Sequence, residues 1–230
     1  MSYDAVFWDI GGVIVELKSI RDGYGAFLAE LCERYDLPYE QTVETWKTTL
    51  GDHFKSRDGT QFRSAQDGYV KATEAVFDGD APDESEWWPL FERASAEAMR
   101  AEPGAVEAVR ELAGTDVHQG IVSDIDDREM ETMLGAFDVR DCFDSVTTSE
   151  TVGYTKPDRR MFEHALDAWG GAAGDALMVG DRYEHDVEGA ATLGFDAVAY
   201  GEEASGPSAD YVVEDLRRVP DIARGDYDGS

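Results

Sequence analysis

The sequence predicts an α/β fold, a doubly wound parallel sheet with a helical subdomain inserted after its first strand. From Pro103 onward, short apolar strands alternate with helical segments, which is typical of βαβ units and a parallel sheet. Between residues 17 and 99 the apolar side chains instead recur at helical spacing. We therefore predict an α/β core of residues 1–16 and 100–230 and a helical subdomain of residues 17–99.

The first strand is the apolar run YDAVFWD, residues 3–9, which stops at Asp9 before the turn residues IGG. In the helical stretch, Phe27 and Leu31 mark one helix face. Breaks between helices are predicted near Pro38, at residues 51–59 and at residues 78–83. The later strands are predicted at residues 117–122, 143–147, 176–179, 197–200 and, more weakly, 211–213.

The chain carries far more acidic than basic residues. Its 230 residues include 50 acidic and 20 basic ones, which gives a formal net charge of −30. Such a surface repels nucleic acid and anionic membranes, so we expect neither as a partner. The acids are scattered along the chain, which favours a protein from a salt-loving cytoplasm, where salt screens self-repulsion. A merely acidic mesophilic protein is the alternative.

The cysteines and the apolar segments of the sequence indicate neither disulfide bonds nor a membrane anchor. Cys32 and Cys142 lie far apart and form no CxxC pair, so neither a disulfide framework nor a thiolate metal site is expected. No charged-then-apolar leader opens the chain, and no apolar run approaches the roughly 20 residues that a membrane span needs. We expect a cytoplasmic protein, either a monomer or a homodimer.

Chemically active side chains follow the predicted strands at their carboxyl ends. They are Asp9 after the first strand, Ser123 and Asp124 after the second, Lys156 after the third, and Asp181 and Asp186 after the fourth. Since ligands bind at the carboxyl ends of parallel strands, we expect these side chains to meet in one crevice. Clustered carboxylates stay ionised only beside a cation, and oxygen ligands select Mg²⁺. Lysine and serine would bind phosphate oxygens, while Asp9 attacks phosphorus and forms an aspartyl-phosphate.

Taken one at a time, these residues have simpler explanations. An aspartate at a strand end is commonly a turn former, and Ser123 and Asp124 would also cap a helix that begins near Asp126. The ordered set is what favours a hydrolytic site. His185 follows the fourth strand as well, but surface exposure explains it equally well and we assign it no role.

Four segments in chain order resemble the motifs of the haloacid dehalogenase (HAD) superfamily of hydrolases: FWDIGGVI, GIVSD, GYTKPDRRMF and VGDRYEHDVEGA. The resemblance implies a Rossmann-like core, with residues 17–99 as the mobile cap of that superfamily. It points to a phosphatase-like member that uses Mg²⁺ and acts on a small phosphorylated metabolite. The implied residues are Asp9, Ser123 and Lys156 for catalysis, Ser123, Asp124 and Lys156 for phosphate, and Asp9, Gly11 through its carbonyl, Asp181 and Asp186 for the metal.

Gly11 departs from the phosphatase pattern. Phosphatases of the superfamily usually have a second aspartate there, which protonates the leaving oxygen and activates water. Proton transfer of this kind is typically worth about 10²–10⁴-fold, so poor leaving groups should react slowest. Dehalogenases also lack that aspartate, which keeps a 2-haloacid dehalogenase open, although they work without metal and do not typically keep the pair Gly180 and Asp181. A catalytically weakened phosphate-binding protein is the other alternative.

Overall fold

The computed structural model describes residues 2–228 and confirms the α/β fold. In this part of the chain there is one six-stranded sheet, in which all paired strands are parallel. The strands are β1 (Ala5–Trp8), β2 (His118–Ser123), β3 (Ser145–Thr148), β4 (Ala176–Gly180), β5 (Asp196–Tyr200) and β6 (Tyr211–Val213). Each strand lies where the sequence predicts it.

The strand order across the sheet is β3-β2-β1-β4-β5-β6. The chain runs outward from β1 through β2 to β3, and then returns to add β4, β5 and β6 on the other side. Trp8 at the end of β1 is opposite Ile121 on β2 and Val179 on β4. The order therefore reverses beside β1, and such a reversal is where α/β sheets bind ligands.

The chain divides into two compact units. The sheet unit consists of the residues up to Glu16 and those from Ala101 onward, and the helical unit is Leu17–Arg100. Within the sheet unit, an antiparallel bridge joins Val15 to Ala101, next to the points where the chain leaves and re-enters it. No helix within residues 2–228 is both long enough and apolar enough to cross a membrane.

The helical unit contains α1 (Leu17–Tyr35), α2 (Tyr39–Lys55), α3 (Ala65–Ala75) and α4 (Glu84–Ala98). The predicted break at residues 51–59 is wrong in its start, because α2 continues through Gly51 and ends at Lys55. Glycine costs only about 1 kcal/mol inside a helix, and the last turn has a tertiary contact. His53 Nε2 lies 2.9 Å from the carbonyl oxygen of Ser64, which joins the end of α2 to the start of α3.

An aromatic cluster forms the core of the helical unit; its rings are Tyr24, Phe27, Trp46, Tyr69, Trp87 and Phe91. The rings of Trp46 and Tyr69 are stacked, with centroids 6.0 Å apart and an interplanar angle of 5°. Trp46 Nε1 donates a hydrogen bond to Thr73 Oγ1 over 3.2 Å, so the buried indole keeps a polar partner.

Six helices surround the sheet in its own unit. They are α5 (Ala105–Ala113), α6 (Asp127–Ala136), α7 (Ser149–Val152), α8 (Arg159–Trp169), α9 (Glu188–Ala191) and α10 (Val219–Arg224), with a wide helical turn at Tyr183–Val187. Short 3₁₀ segments lie at Arg140–Cys142, Ala173–Asp175, Glu202–Ala204 and Leu216–Arg218. These six helices and four 3₁₀ segments all lie within residues 2–228.

Phe7 holds β1 in the core of the sheet unit. Its ring meets Trp169 and Phe195 edge to face, with centroid distances of 6.1 Å and 5.7 Å. On the neighbouring strand, a Cβ at Gly120 would lie 2.5 Å from that ring, so only glycine lets β2 pair so closely beside it. The end of β1, where Asp9 follows, is thus fixed by packing on several sides.

Candidate active site

Asp9 directly follows β1 and is almost fully buried, with 2% of its surface exposed. Its backbone N–H donates to the carbonyl oxygen of Val179 on β4 over 3.0 Å. Its Oδ1 accepts hydrogen bonds from Ile10 N (2.8 Å) and Ser123 Oγ (2.7 Å), and Lys156 Nζ lies 3.0 Å from the same oxygen. Oδ2 shares none of these three contacts, so the two oxygens of Asp9 have different surroundings.

Lys156 is completely buried and balances two of the acids. Its Nζ lies 2.7 Å from Asp186 Oδ1 and 3.0 Å from Asp9 Oδ1, and it donates to the carbonyl oxygen of Val122 over 2.8 Å. Burial alone would lower the pKa of Lys156, but the carboxylates of Asp186, Asp9 and Asp124 raise it. The lysine therefore stays charged inside the sheet unit.

Asp9, Asp181 and Asp186 form a carboxylate cluster, in which one oxygen from each lies within 4.8 Å of the others. Two glycines make this approach possible. A Cβ at Gly12, whose φ is +82°, would lie 2.0 Å from Asp181 Oδ2, and a Cβ at Gly180 would lie 2.1 Å from Asp186 Cβ. The loop after β1 and the end of β4 can therefore close around the carboxylates only with glycine at both positions.

The carboxylate cluster is electrostatically incomplete without a further cation. Burial, together with the charges of Asp9 and Asp186, raises the pKa of Asp181 to about 7. Burial raises the pKa of Asp186 as well. Asp181 Oδ1 is buried and has no hydrogen-bond donor among the residues that the structure describes. Three carboxylates with an unsatisfied oxygen fit a hard divalent cation, so this cluster can hold a metal ion.

Asp124 lies beside the carboxylate cluster and contacts the groups that surround it. Its Oδ1 accepts hydrogen bonds from Lys156 N (2.7 Å) and Ser149 Oγ (3.3 Å), and its Oδ2 accepts one from Arg182 Nη2 (3.0 Å). Burial would raise the pKa of Asp124, but His185, Lys156 and Arg182 together lower it well below its usual range. Asp124 is thus a permanently ionised acid, and its predicted contact with phosphate stays a prediction.

Arg182 and His185 are the site residues that the sequence prediction missed. Arg182 Nη2 lies 4.0 Å from Asp9 Oδ2, on the side of Asp9 that Ser123 and Lys156 leave free. His185 Nδ1 lies 3.6 Å from Asp124 Oδ2, so His185 is a neighbour of the site instead of a merely exposed residue. Arg182 could have been predicted from the motif VGDRYEHD, because it directly follows Asp181 there.

The structure brings the predicted side chains together; they are Asp9, Ser123, Asp124, Lys156, Asp181 and Asp186. Gly11 lies in the loop after β1 and forms a bridge with Val15. The hydrogen bonds of that bridge run from Val15 N to Ile10 O and from Gly12 N to Val15 O, both 2.8 Å. Neither bond uses the Gly11 carbonyl, whose predicted contact with a metal stays a prediction.

Comparison with known proteins identifies a family model and several relatives. The model for haloacid dehalogenase-like hydrolases matches residues 3–194. A glyceraldehyde 3-phosphate phosphatase from Methanothermobacter thermautotrophicus is 28% identical over 130 residues, which cover 55% of this chain and 57% of that protein. A phosphoserine phosphatase from Thermus thermophilus is 32% identical over 160 residues, covering 57% and 64%. The chain spans about half the length of the curated relatives it matches first.

Solved structures resemble this one along almost their whole length. A HAD phosphatase from Thermococcus onnurineus superimposes with a TM-score of 0.73 at 24% identity, covering 96% of this chain and 97% of that one. An L-2-haloacid dehalogenase from Xanthobacter autotrophicus gives a TM-score of 0.69 at 18% identity, covering 97% and 99%. Because the phosphatase and the dehalogenase superimpose about equally well on this structure, the similarity shows a shared fold and does not distinguish the two activities.

Proposed function

The chain belongs to the haloacid dehalogenase-like hydrolases, and we propose that it is a magnesium-dependent hydrolase of a small phosphorylated metabolite, acting through an aspartyl-phosphate on Asp9. The observation that carries the proposal is the pairing of Asp9, buried at the end of β1, with Ser123 and Lys156 on one oxygen. Two relatives named for glyceraldehyde 3-phosphate and phosphoserine support a small phosphorylated substrate.

Asp9 acts as the nucleophile in this proposal. Its carboxylate attacks phosphorus, the bond from phosphorus to the leaving oxygen breaks, and the leaving oxygen takes the electron pair. Water then attacks the aspartyl-phosphate, which releases inorganic phosphate and restores the carboxylate. Because Ser123 and Lys156 hold Oδ1, the carboxylate is oriented before the substrate arrives, and little ordering remains for the reaction itself.

Lys156 and Ser123 are proposed to stabilise the charge that develops around Asp9. The ammonium of Lys156 faces Asp9 and Asp186 from inside the protein, where an electrostatic interaction is less screened than in water. The hydroxyl of Ser123 and the ammonium of Lys156, which contact Asp9, would also donate hydrogen bonds to the phosphate oxygens of the substrate.

Asp9, Asp181 and Asp186 are the residues that would hold Mg²⁺. When bound, the ion would neutralise the clustered carboxylates and withdraw charge from phosphoryl oxygens. The unsatisfied Asp181 Oδ1 and the raised pKa of Asp181 support this assignment, because both describe a carboxylate whose charge is poorly balanced by the described residues.

The proposal is tested by turnover of p-nitrophenyl phosphate with Mg²⁺ in molar KCl, a medium chosen for the acidic surface. We expect release of p-nitrophenol that stops when EDTA removes the metal. Profiling of sugar phosphates, nucleotides and acyl phosphates would then define the substrate. Hydrolysis that is unaffected by EDTA, or no hydrolysis of any of these compounds, would falsify the proposal.

A 2-haloacid dehalogenase is the second candidate, and Gly11 is the residue that favours it. In that reaction Asp9 would attack carbon and displace halide, with no need for a proton donor at position 11. Halide release from 2-chloropropionate in the presence of EDTA is the expected result for a dehalogenase. Absence of halide removes this candidate.

A phosphate-binding protein with weakened catalysis is the third candidate, again because of Gly11. Its signature is thermal stabilisation by Mg²⁺ and phosphate without turnover of the substrate panel. The variant Gly11→Asp separates this case from an efficient enzyme, since a gain of phosphatase activity in the variant identifies a missing acid as the deficiency.

A further inference from the structure

Arg182 places a second cationic side chain, besides Lys156, at the proposed reaction centre. Its Nη2 lies 4.0 Å from Asp9 Oδ2, which is too long for a hydrogen bond. The contacts of Ser123 and Lys156 are with the other oxygen, Oδ1. Arg182 and Lys156 therefore approach the two oxygens of Asp9 separately, and the space beside Oδ2 is bordered by a guanidinium.

Arg182 is held in place at two points, one on its backbone and one on its guanidinium. The backbone N–H of Arg182 donates to Asp186 Oδ2 over 3.0 Å, and Nη2 donates to Asp124 Oδ2 over 3.0 Å. Asp124 is itself fixed by Lys156 N over 2.7 Å. A donor held in this way needs little reorganisation when charge develops near it, which is what electrostatic catalysis requires.

The guanidinium also keeps donor groups for a ligand. Arg182 has a side chain that is 42% exposed, and among residues 2–228 its one side-chain hydrogen bond goes from Nη2 to Asp124. A guanidinium has five N–H donors in a planar fork that matches the oxygens of phosphate. An arginine guanidinium keeps its proton at any ordinary pH, so the group stays cationic.

We infer that Arg182 is a catalytic residue of the phosphoryl transfer, binding a non-bridging phosphoryl oxygen as phosphorus joins Asp9 Oδ2. The inference rests on the proposed hydrolase function. In the step, the bond from Oδ2 to phosphorus forms while the bond from phosphorus to the leaving oxygen breaks, and the electron pair and a solvent proton go to the leaving group. In the second step a water oxygen bonds to phosphorus while the bond from phosphorus to Oδ2 breaks, which returns the electron pair to the Asp9 carboxylate, sends the water proton to solvent and gives inorganic phosphate. Arg182 donates hydrogen bonds throughout and exchanges no proton.

The test compares Arg182→Gln, Arg182→Lys and wild type by three measurements. Mg²⁺ alone is titrated by thermal shift to report the metal site. Beryllofluoride with Mg²⁺ is titrated in the same way, because it mimics the phosphoryl group of an aspartyl-phosphate without turnover. The third is kcat/KM for p-nitrophenyl phosphate. Arg159→Gln is the matched control, since Arg159 is an exposed arginine of the same unit that pairs with Glu163.

We expect Arg182→Gln to lose about 10²–10³-fold in kcat/KM, the typical effect of removing one donor from a transition state. Beryllofluoride affinity should fall at least about tenfold while Mg²⁺ affinity stays within about threefold, since Arg182 is not a metal ligand. Arg182→Lys should recover part of both losses, and Arg159→Gln should match wild type.

Two results overturn the inference about Arg182. One is an Arg182→Gln variant with wild-type kcat/KM and beryllofluoride affinity. The other is a variant that loses Mg²⁺ and beryllofluoride binding equally, because Arg182 would then only support the fold of the site. Failure of the proposed function would give a different result, in which wild type binds Mg²⁺ and beryllofluoride but hydrolyses no ester. In that case the beryllofluoride affinities of Arg182→Gln and wild type would still decide whether Arg182 contacts the phosphoryl group.

Discussion

The two units of the molecule bury different chemistry. The sheet unit encloses Lys156 and Asp186 with no exposed surface, whereas the helical unit encloses the rings of Trp46 and Trp87, each 1% exposed. Burying aromatic rings is favourable in itself. Burying several carboxylates around one lysine is costly unless each charge is balanced. The helical unit thus buries groups that stabilise the fold, whereas the sheet unit buries charges that cost stability and that we propose for chemistry.

The balance of charge in the sheet unit makes this difference concrete. Four carboxylates, Asp9, Asp124, Asp181 and Asp186, face the two cations Lys156 and Arg182. When all four carboxylates are ionised, the difference is two negative charges, which is the charge that one divalent ion neutralises. The rings of the aromatic cluster are neutral and leave no charge to balance, and the buried indole N–H of Trp46 already donates a hydrogen bond to Thr73.

The largest expected effect is from Asp9→Asn, which removes the proposed nucleophile and hardly changes the volume. Turnover of p-nitrophenyl phosphate should fall by about 10⁴-fold or more, as when other enzymes lose a nucleophile. The matched control is Asp116→Asn, an exposed aspartate of the same unit, which should keep wild-type activity. An active Asp9→Asn protein would mean that the buried charge of the sheet unit serves another purpose.

Lys156→Met should be the most destabilising substitution at the site, because it leaves Asp9 and Asp186 buried without their cation. Removing one partner from a buried ion pair typically costs about 3–5 kcal/mol of unfolding free energy. Denaturant unfolding in EDTA measures it. Lys55→Met, on the exposed end of α2, should change stability by less than about 0.5 kcal/mol. Equal stability of Lys156→Met and wild type would refute the charge balance described above.

The sequence was sufficient to predict the sheet and the residues after its strands. Strand positions follow from short apolar runs, and the carboxyl end of each strand places Asp9, Ser123 and Asp181 at one edge. Such inferences depend on local patterns and on one rule of topology. They therefore succeed wherever the backbone alone positions the side chain.

The sequence could not reveal features that depend on the reach of a side chain. Whether Arg182 points to Asp9 or to solvent depends on Asp124, which is 58 residues away in the chain. The closeness of Gly12 to Asp181 is equally invisible before the loops are folded. The end of α2 was misjudged for a related reason, since a contact with Ser64 outweighs the weak helix propensity of Gly51.

Trp46→Phe tests the other side of the comparison, the aromatic cluster. It removes the hydrogen bond to Thr73 and part of the ring stacked on Tyr69, so unfolding free energy should fall by about 1–3 kcal/mol. Mg²⁺ affinity should be unchanged. Thr73→Val, which deletes only the acceptor, should account for part of the loss, and Tyr39→Phe, at an exposed ring, should cost almost nothing. A change in Mg²⁺ affinity would show that stability and chemistry are not separated as proposed.

The smallest expected effect is a dependence of Mg²⁺ affinity on pH through Asp181. Burial and the neighbouring Asp9 and Asp186 raise the pKa of Asp181 to about 7, so protons compete with the ion below that pH. Calorimetric titration should show about tenfold weaker Mg²⁺ binding at pH 6 than at pH 8. The stability of the metal-free protein should change with pH in the opposite direction. A carboxyl whose pKa is raised on folding contributes its full stabilisation below its unfolded pKa of about 3.9, and this stabilisation is lost as pH rises through the folded pKa of about 7. Asp181→Asn should abolish both trends, and trends that persist in that variant would assign the proton to another group.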